Sequence, residues 1–277
     1  MNKFLDYCTN TDLHATVILP GYCNAKCPFC YDLPQNISDL DYIKKLKETL
    51  EQIPDNVRKL AITGMETTMS PFFDELLDLN KYFKDNKKYD FMFLNTNGFL
   101  LNKYGSRIGE SFDSINISRH AANDEDNYKI FGTNTVPSLY DLKEIIPELK
   151  LESGVNINTV VTDDLSDEEK MDKIYGMVDA SKYVGANSLT IRFEATDRLR
   201  TEPLIDDLNK LETLQFNANP GCKFWLKRIN DLYVVLKYVT KEPTSYSDWN
   251  YGYIVQRNLD VTKDWAGCKK HTLTKKL

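Results

Sequence analysis

Short apolar runs alternate with longer helix-like stretches along most of this chain, and that alternation predicts a parallel sheet with crossover helices. Residues 16–19 read as the first strand, stopped by Pro20-Gly21. A helix follows near residues 39–52, then a strand at 60–63, a helix at 72–83 and a strand at 91–94. Ser114-Ile115-Asn116-Ile117-Ser118 reads as a fourth strand, 139–149 as a helix and 155–161 as a fifth strand. Residues 167–183 form a long helix whose acidic first turn suits the helix dipole, and 188–193 is the sixth strand. Six such strands make most of a barrel, so the predicted fold is α/β: a partial (β/α)6 TIM-like barrel. Past residue 200 the pattern changes. Lys223 to Arg228, the turn Asn230-Asp231 and Leu232 to Val239 read as a hairpin, with a further strand near 251–257. The expected division is a barrel core at 1–200 and a C-terminal hairpin-containing annex at 201–277, capping the open side of the barrel.

The loop after the first strand carries the most specific chemistry. Cys23, Cys27 and Cys30 stand in a Cys-x3-Cys-x2-Cys run. Three thiolates leave the fourth iron of a cubane cluster without a protein ligand, and that iron can take a small molecule through amino and carboxylate groups. A structural zinc knuckle needs a second ligand pair, and the rest of the chain offers only Cys8, Cys222, Cys268, His14, His120 and His271. Cys27-Pro28-Phe29-Cys30 also has the form of a thiol redox pair, and Thr135-Val136-Pro137 has the form of the segment that packs on such pairs. The separation of more than a hundred residues is too long for that small domain.

Composition narrows the class. The chain has 277 residues, 42% of them hydrophobic, with a formal net charge of -6, enough for one large domain or a domain with an annex. No apolar run approaches a membrane span, and the opening residues lack the apolar stretch of a signal peptide. A cytoplasmic enzyme is expected, with no membrane partner. Six cysteines are too few for a disulfide scaffold, and an iron–sulfur cluster fits a reducing compartment. The mild acidity argues against an extended nucleic-acid surface. Neither Gly-x-Ser-x-Gly nor Gly-x4-Gly-Lys-Ser/Thr occurs, so the esterase and P-loop readings gain no support.

Parallel barrels place their chemistry at the C-terminal ends of the strands, and polar residues gather there: Gly64-Met65-Glu66-Thr67, Asn95-Thr96-Asn97-Gly98, Ser118-Arg119-His120, Asn156 and Asn158, Arg192 and Glu194. Arg119 and His120 are the candidates for substrate-side chemistry, since they put a fixed cation and a titratable group at the barrel mouth. Each segment also has a structural reading as turn, strand end or ion pair.

Over roughly residues 14–200 the chain resembles the radical S-adenosylmethionine (SAM) enzymes, in the branch of the molybdopterin-precursor cyclase and peptide maturases. The resemblance implies a 4Fe–4S cluster on Cys23, Cys27 and Cys30, with Phe29 as the aromatic residue before the third cysteine. Gly64-Met65-Glu66-Thr67 resembles the family's Gly-Gly-Glu-Pro motif, which implies contact between Gly64, Glu66 and the amino group of SAM; Met65 and Thr67 depart from it. Thr96, Asn97 and Gly98 resemble the Thr-Asn-Gly segment of the third strand. By the same likeness Ser118 contacts the ribose, Asn158 faces SAM and Arg192 pairs with its carboxylate. The implied reaction is reductive cleavage of SAM to a 5'-deoxyadenosyl radical that abstracts a hydrogen atom. It requires an electron donor such as a flavodoxin or ferredoxin.

Three functions follow. The first is radical chemistry on a small molecule or nucleotide, favoured by the short annex. The second is maturation of a ribosomal peptide. The third, of another class, is a zinc- or thiol-based binding protein. Cys8, Cys222 and Cys268 read either as ligands of an auxiliary cluster or as ordinary core thiols; the dense Cys-x2-Cys spacing of a cluster-binding extension is missing.

Overall fold

The computed structural model describes residues 14–30, 34, 37–162, 164–193, 206–219, 222–239 and 252–262. Strand β1 (His14–Leu19) leads into the cysteine loop and α1 (Tyr42–Glu51). Next come β2 (Lys59–Gly64), a 3-10 turn (Thr67–Met69) and α2 (Phe73–Asp85), then β3 (Phe91–Thr96) with α3 (Leu101–Tyr104) and α4 (Ser106–Ser111). β4 (Ser114–Ser118) precedes α5 (Asp124–Phe131) and α6 (Leu139–Glu148), and β5 (Val155–Val161) precedes α7 (Asp167–Tyr183) and β6 (Ser188–Phe193). The remainder is α8 (Asp206–Lys210), β7 (Thr213–Asn219), β8 (Cys222–Ile229), β9 (Leu232–Val239), β10 (Gly252–Val255) and β11 (Val261–Thr262).

Helices α5, α6 and α7 start where a side chain satisfies exposed backbone donors. Ser138 caps α6 and Ser166 caps α7, each in a reciprocal box with Asp141 or Glu169 three residues on. Asn123 caps α5 by accepting from the Asp126 amide at 2.8 Å.

Among the described residues eleven strands form one sheet in the order β11-β10-β1-β2-β3-β4-β5-β6-β9-β8-β7. Strands β1 to β6 are parallel neighbours, as the alternating pattern predicts. The C-terminal strands continue that sheet at both sides: β10 pairs parallel with β1, and β9 pairs parallel with β6. The expected hairpin is β8–β9, and β7 adds an antiparallel strand outside it.

Alternation within the strands divides the sheet into two unlike faces. One carries Val17, Leu19, Ile62, Leu94, Ile115, Ile117, Ile157, Leu189, Ile191 and Leu236, packed against helix residues such as Leu46, Leu76, Phe83, Ile174 and Val178. Each such side chain contributes roughly 1.5–3 kcal/mol when fully buried. The other face is the inside of the partial barrel and is mostly polar, which determines where chemistry can be housed.

Candidate active site at the barrel mouth

The cysteine loop is fixed by bonds that reach it from distant parts of the chain. Lys26 N–H donates to the Phe131 carbonyl at 2.7 Å, and the Tyr22 carbonyl accepts from Glu66 N–H at 3.0 Å. Between these anchors Asn24 bridges two crossovers. Its Oδ1 accepts from Asn97 Nδ2 at 2.8 Å, and its Nδ2 donates to Thr135 Oγ1 at 2.8 Å. Cys23 Sγ accepts from Ala25 N–H at 3.4 Å and has Asn97 Nδ2 at 3.8 Å. Cys30 N–H donates to the Cys27 carbonyl, folding the second half of the run into a tight turn.

Glu66 ties the ends of β2 and β3 together. It is buried, and its carboxylate accepts from Asn97 N–H at 2.6 Å, Thr68 N–H at 3.1 Å and the hydroxyls of Thr68 and Thr96. Burial raises its pKa while those four donors pull the other way. The Glu66 side chain thus faces into the protein and holds Thr96 and Asn97 in place. Gly64 closes β2 with φ +154, and a Cβ there would stand 2.8 Å from the Leu19 carbonyl oxygen. Gly98 has φ +90, and its Cβ would meet Pro137 at 2.8 Å.

The barrel interior is layered. Ala61, Phe91 and Phe93 pack at the bottom. Above them Asn95, Asn116, Asn156 and Ser188 lie side by side in register on β3 to β6. Their side chains are chained by hydrogen bonds: Asn95 to the Ile62 carbonyl, Asn116 to Asn95, Asn156 to Asn116, and Ser188 to Asn156 at 2.9 Å. The next row up is Ser118, Asn158 and Thr190, also in register. At the top, Arg192 stands between Val160 and Lys237 and is exposed. A neutral polar wall therefore rises to a cationic rim.

Arg119 and His120 leave this wall. Arg119 is buried, donates to Asp124 Oδ1 at 2.7 Å and to the Ala122 carbonyl at 3.3 Å, and has no hydrogen-bond partner for Nε or Nη1 among the described residues. Asp124 also accepts from Leu139 N–H, so the ion pair joins α5 to α6. His120 is buried between Phe29, edge-on at 4.7 Å, and Phe131 at 4.9 Å. Its Nδ1 accepts from Val160 N–H at 3.3 Å, which puts the proton of the neutral ring on Nε2. Burial, then the charges of Lys173, Arg192 and Arg119, hold its pKa down at about 3. The pair thus braces the cysteine loop and the β4 crossover from behind.

Asn24, Lys173 and Lys237 were not singled out by the sequence reading. Glu194, Cys8, Cys268 and His271 lie outside the described residues, as does the side chain of Cys222.

The thiols fit a cluster on chemical grounds. The Cys27 thiol is pushed up to about 12 by burial and then by Cys30 and Cys23, so it resists ionisation until a cation compensates its charge. Among the described residues no three His, Cys, Asp or Glu side chains converge on a single metal ion. A cubane instead gives each thiolate its own iron.

Comparison with known proteins agrees. The Radical SAM superfamily model matches residues 17–175, from β1 into α7. The subtilosin biosynthesis protein AlbA of Bacillus subtilis strain 168 is 34% identical over 121 residues, which are 39% of this chain and 26% of that protein. This chain thus spans about a quarter of that curated relative's length. Streptococcus suis SuiB superposes with a TM-score of 0.57 at 18% identity, covering 96% of this chain and 63% of that one. The structure of anSMEcpe with bound AdoMet and Cp18Cys peptide gives 0.51 at 18% identity, covering 69% and 54%. The cysteine loop, the partial barrel and a family match spanning both place this chain in the radical SAM superfamily, whose members use a 4Fe–4S cluster and SAM.

Proposed function

We propose that this chain is the catalytic barrel of a radical SAM enzyme that removes a hydrogen atom from a peptide substrate. The observation that carries the reading is the pinned three-cysteine loop beside a neutral polar wall with a cationic rim. When bound, the cluster and SAM supply the radical chemistry, fed by a one-electron donor such as a flavodoxin or ferredoxin.

Cys23, Cys27 and Cys30 would hold the cluster. The backbone from Gly64 to Glu66 would take the amino group of SAM, kept in shape by the four bonds into the Glu66 carboxylate. Thr96 and Asn97 fix the adjoining strand end. Ser118 and Asn158, neighbours in register, offer neutral partners for the ribose. Arg192 offers a planar fork for the carboxylate. Arg119 and His120 are assigned to positioning, because Arg119 is tied to Asp124 and the Ala122 carbonyl toward α5, and the His120 ring accepts from Val160 N–H behind Phe29.

The peptide assignment draws on the similar proteins: a bacteriocin biosynthesis protein, SuiB, also solved bound to its precursor peptide SuiA, and anSMEcpe with a peptide. The test is a competition among substrate classes. Anaerobically reconstituted protein with SAM and reductant is given a random peptide pool, a nucleotide mixture or a free amino acid mixture, and 5'-deoxyadenosine is measured. Peptides are expected to raise its formation. Stimulation by nucleotides or amino acids alone would replace the peptide reading with the small-molecule one.

A further inference from the structure

Among the described residues the two edges of the sheet are unlike. One ends in β11, only two residues long. The other ends in β7, seven residues with the sequence Thr-Leu-Gln-Phe-Asn-Ala-Asn. Edge strands are ordinarily blunted by shortness, proline, lysine or inward charge. β7 has no charge and no proline. Its irregularity is confined to the register shift between Thr213 and Gln215. Its start is secured by the buried Lys227, whose Nζ donates to the Leu211 carbonyl and Thr213 Oγ1, each at 2.8 Å. Among the described residues no strand pairs with its outer side.

β7 also carries exposed apolar surface. Leu214 and Phe216 are 43% and 53% exposed. Phe216 ends a file of rings: it lies 5.1 Å from Trp225, which lies 5.3 Å from Tyr238, which stacks on Phe193 at 4.2 Å. The inner members are core residues, so the outermost ring sits on a rigid base.

Strand direction says what such an edge would do. β7 is antiparallel to β8, β8 to β9, and β9 is parallel to β6. β7 therefore runs with the barrel strands, and its C-terminal end lies toward the mouth, on the same side as the cysteine loop. Three strand spacings separate it from β6, roughly 15 Å, which about five extended residues cross.

We propose that β7 is the docking edge for the peptide substrate, which pairs with it as an added strand and places its apolar side chains against Leu214 and Phe216. Main-chain bonds supply affinity without demanding a sequence, and the chain leaving the C-terminal end of β7 reaches the barrel mouth. A small ligand has no use for a seven-residue edge that no strand pairs among the described residues. The inference rests on the peptide reading above.

The test selects phage-displayed random peptides, long enough to pair along β7, on the reconstituted full chain. Binding of the selected synthetic peptide is then measured by fluorescence anisotropy. Phe216→Lys and Leu214→Lys are expected to weaken it about tenfold or more. Phe216→Thr, which keeps strand propensity, is expected to weaken it less. Tyr140→Lys, on exposed α6, should leave it unchanged. Equal affinity across all variants overturns the proposal. So does a wild-type dimer that Phe216→Lys makes monomeric, since a second copy then occupies the edge. A large fall in unfolding midpoint for both Phe216 variants also overturns it, because the chain's own residues then cover β7. If no peptide is selected, the substrate reading itself fails. If a selected peptide binds and stimulates SAM cleavage equally in wild type and Phe216→Lys, only the docking edge fails.

Discussion

His120 shows how far a residue's role depends on what surrounds it. As a lone histidine after a barrel strand it reads as acid–base chemistry; in the fold it is a neutral wedge between Phe29 and Phe131. Its pKa gives a measurable consequence. An unfolded histidine ionises near 6.5, whereas burial and three cations hold His120 at about 3. Between those values the unfolded chain binds a proton that the folded chain does not. The contribution is therefore complete above about pH 6.5 and falls as the pH drops toward 3, by at most ~1.4 kcal/mol per pH unit. Denaturant titrations of the cluster-free protein should show stability declining from pH 7 to 5, and His120→Gln should flatten the decline. Equal slopes would mean that the ring is not held neutral by its surroundings. At this scale the three cysteines were legible because their spacing is local. The burial of His120 and the inward turn of the Glu66 carboxylate were not, since they depend in part on Phe29, Val160, Thr96 and Asn97, dozens of positions away.

The elements were legible in proportion to their apolar content. All six barrel strands were readable as short apolar runs. The helices at 101–111 and 124–131 were missed because they are short and, in α5, opened by Asp124-Glu125-Asp126. β7 was missed because its alternation is mostly with asparagine, glutamine and threonine. The same crossovers pin the cysteine loop, through Asn97 after β3 and through Thr135 and Phe131 beyond β4. No sequence pattern announces a latch between Asn24 and Asn97, which are 73 residues apart. The latch fixes the loop through the protein's own hydrogen bonds. Asn24→Ala removes bonds to both Asn97 and Thr135 and should leave the circular dichroism spectrum unchanged while lowering iron retained per chain after reconstitution and gel filtration. Full retention would show that the cluster organises the loop by itself.

Across the whole molecule, the sequence suggested a barrel with an annex, and the sheet runs through both. β9 supplies Val234, Leu236 and Tyr238 to the main core, and β10 supplies Val255 beside β1. Their order in the sheet was hidden because register and neighbour choice are set by contacts between segments far apart in the chain. A chain ended at residue 200 uncovers both sides of the parallel core, and it should lose the cooperative unfolding transition of the full chain. A truncated protein that melts cooperatively at the same temperature would mean that the C-terminal strands are accessories. Among the described residues no helix is long and apolar enough to cross a membrane.

The central claim is that the Cys23, Cys27 and Cys30 loop holds a cluster that turns over SAM. Its most direct test is anaerobic reconstitution, addition of SAM and a strong reductant, and chromatographic measurement of 5'-deoxyadenosine, with Cys27→Ala in parallel. The wild-type chain is expected to form 5'-deoxyadenosine and the variant none, with the variant's fold retained. Equal formation by both proteins, or none by a wild-type chain carrying a full cluster and given peptide, would contradict the account.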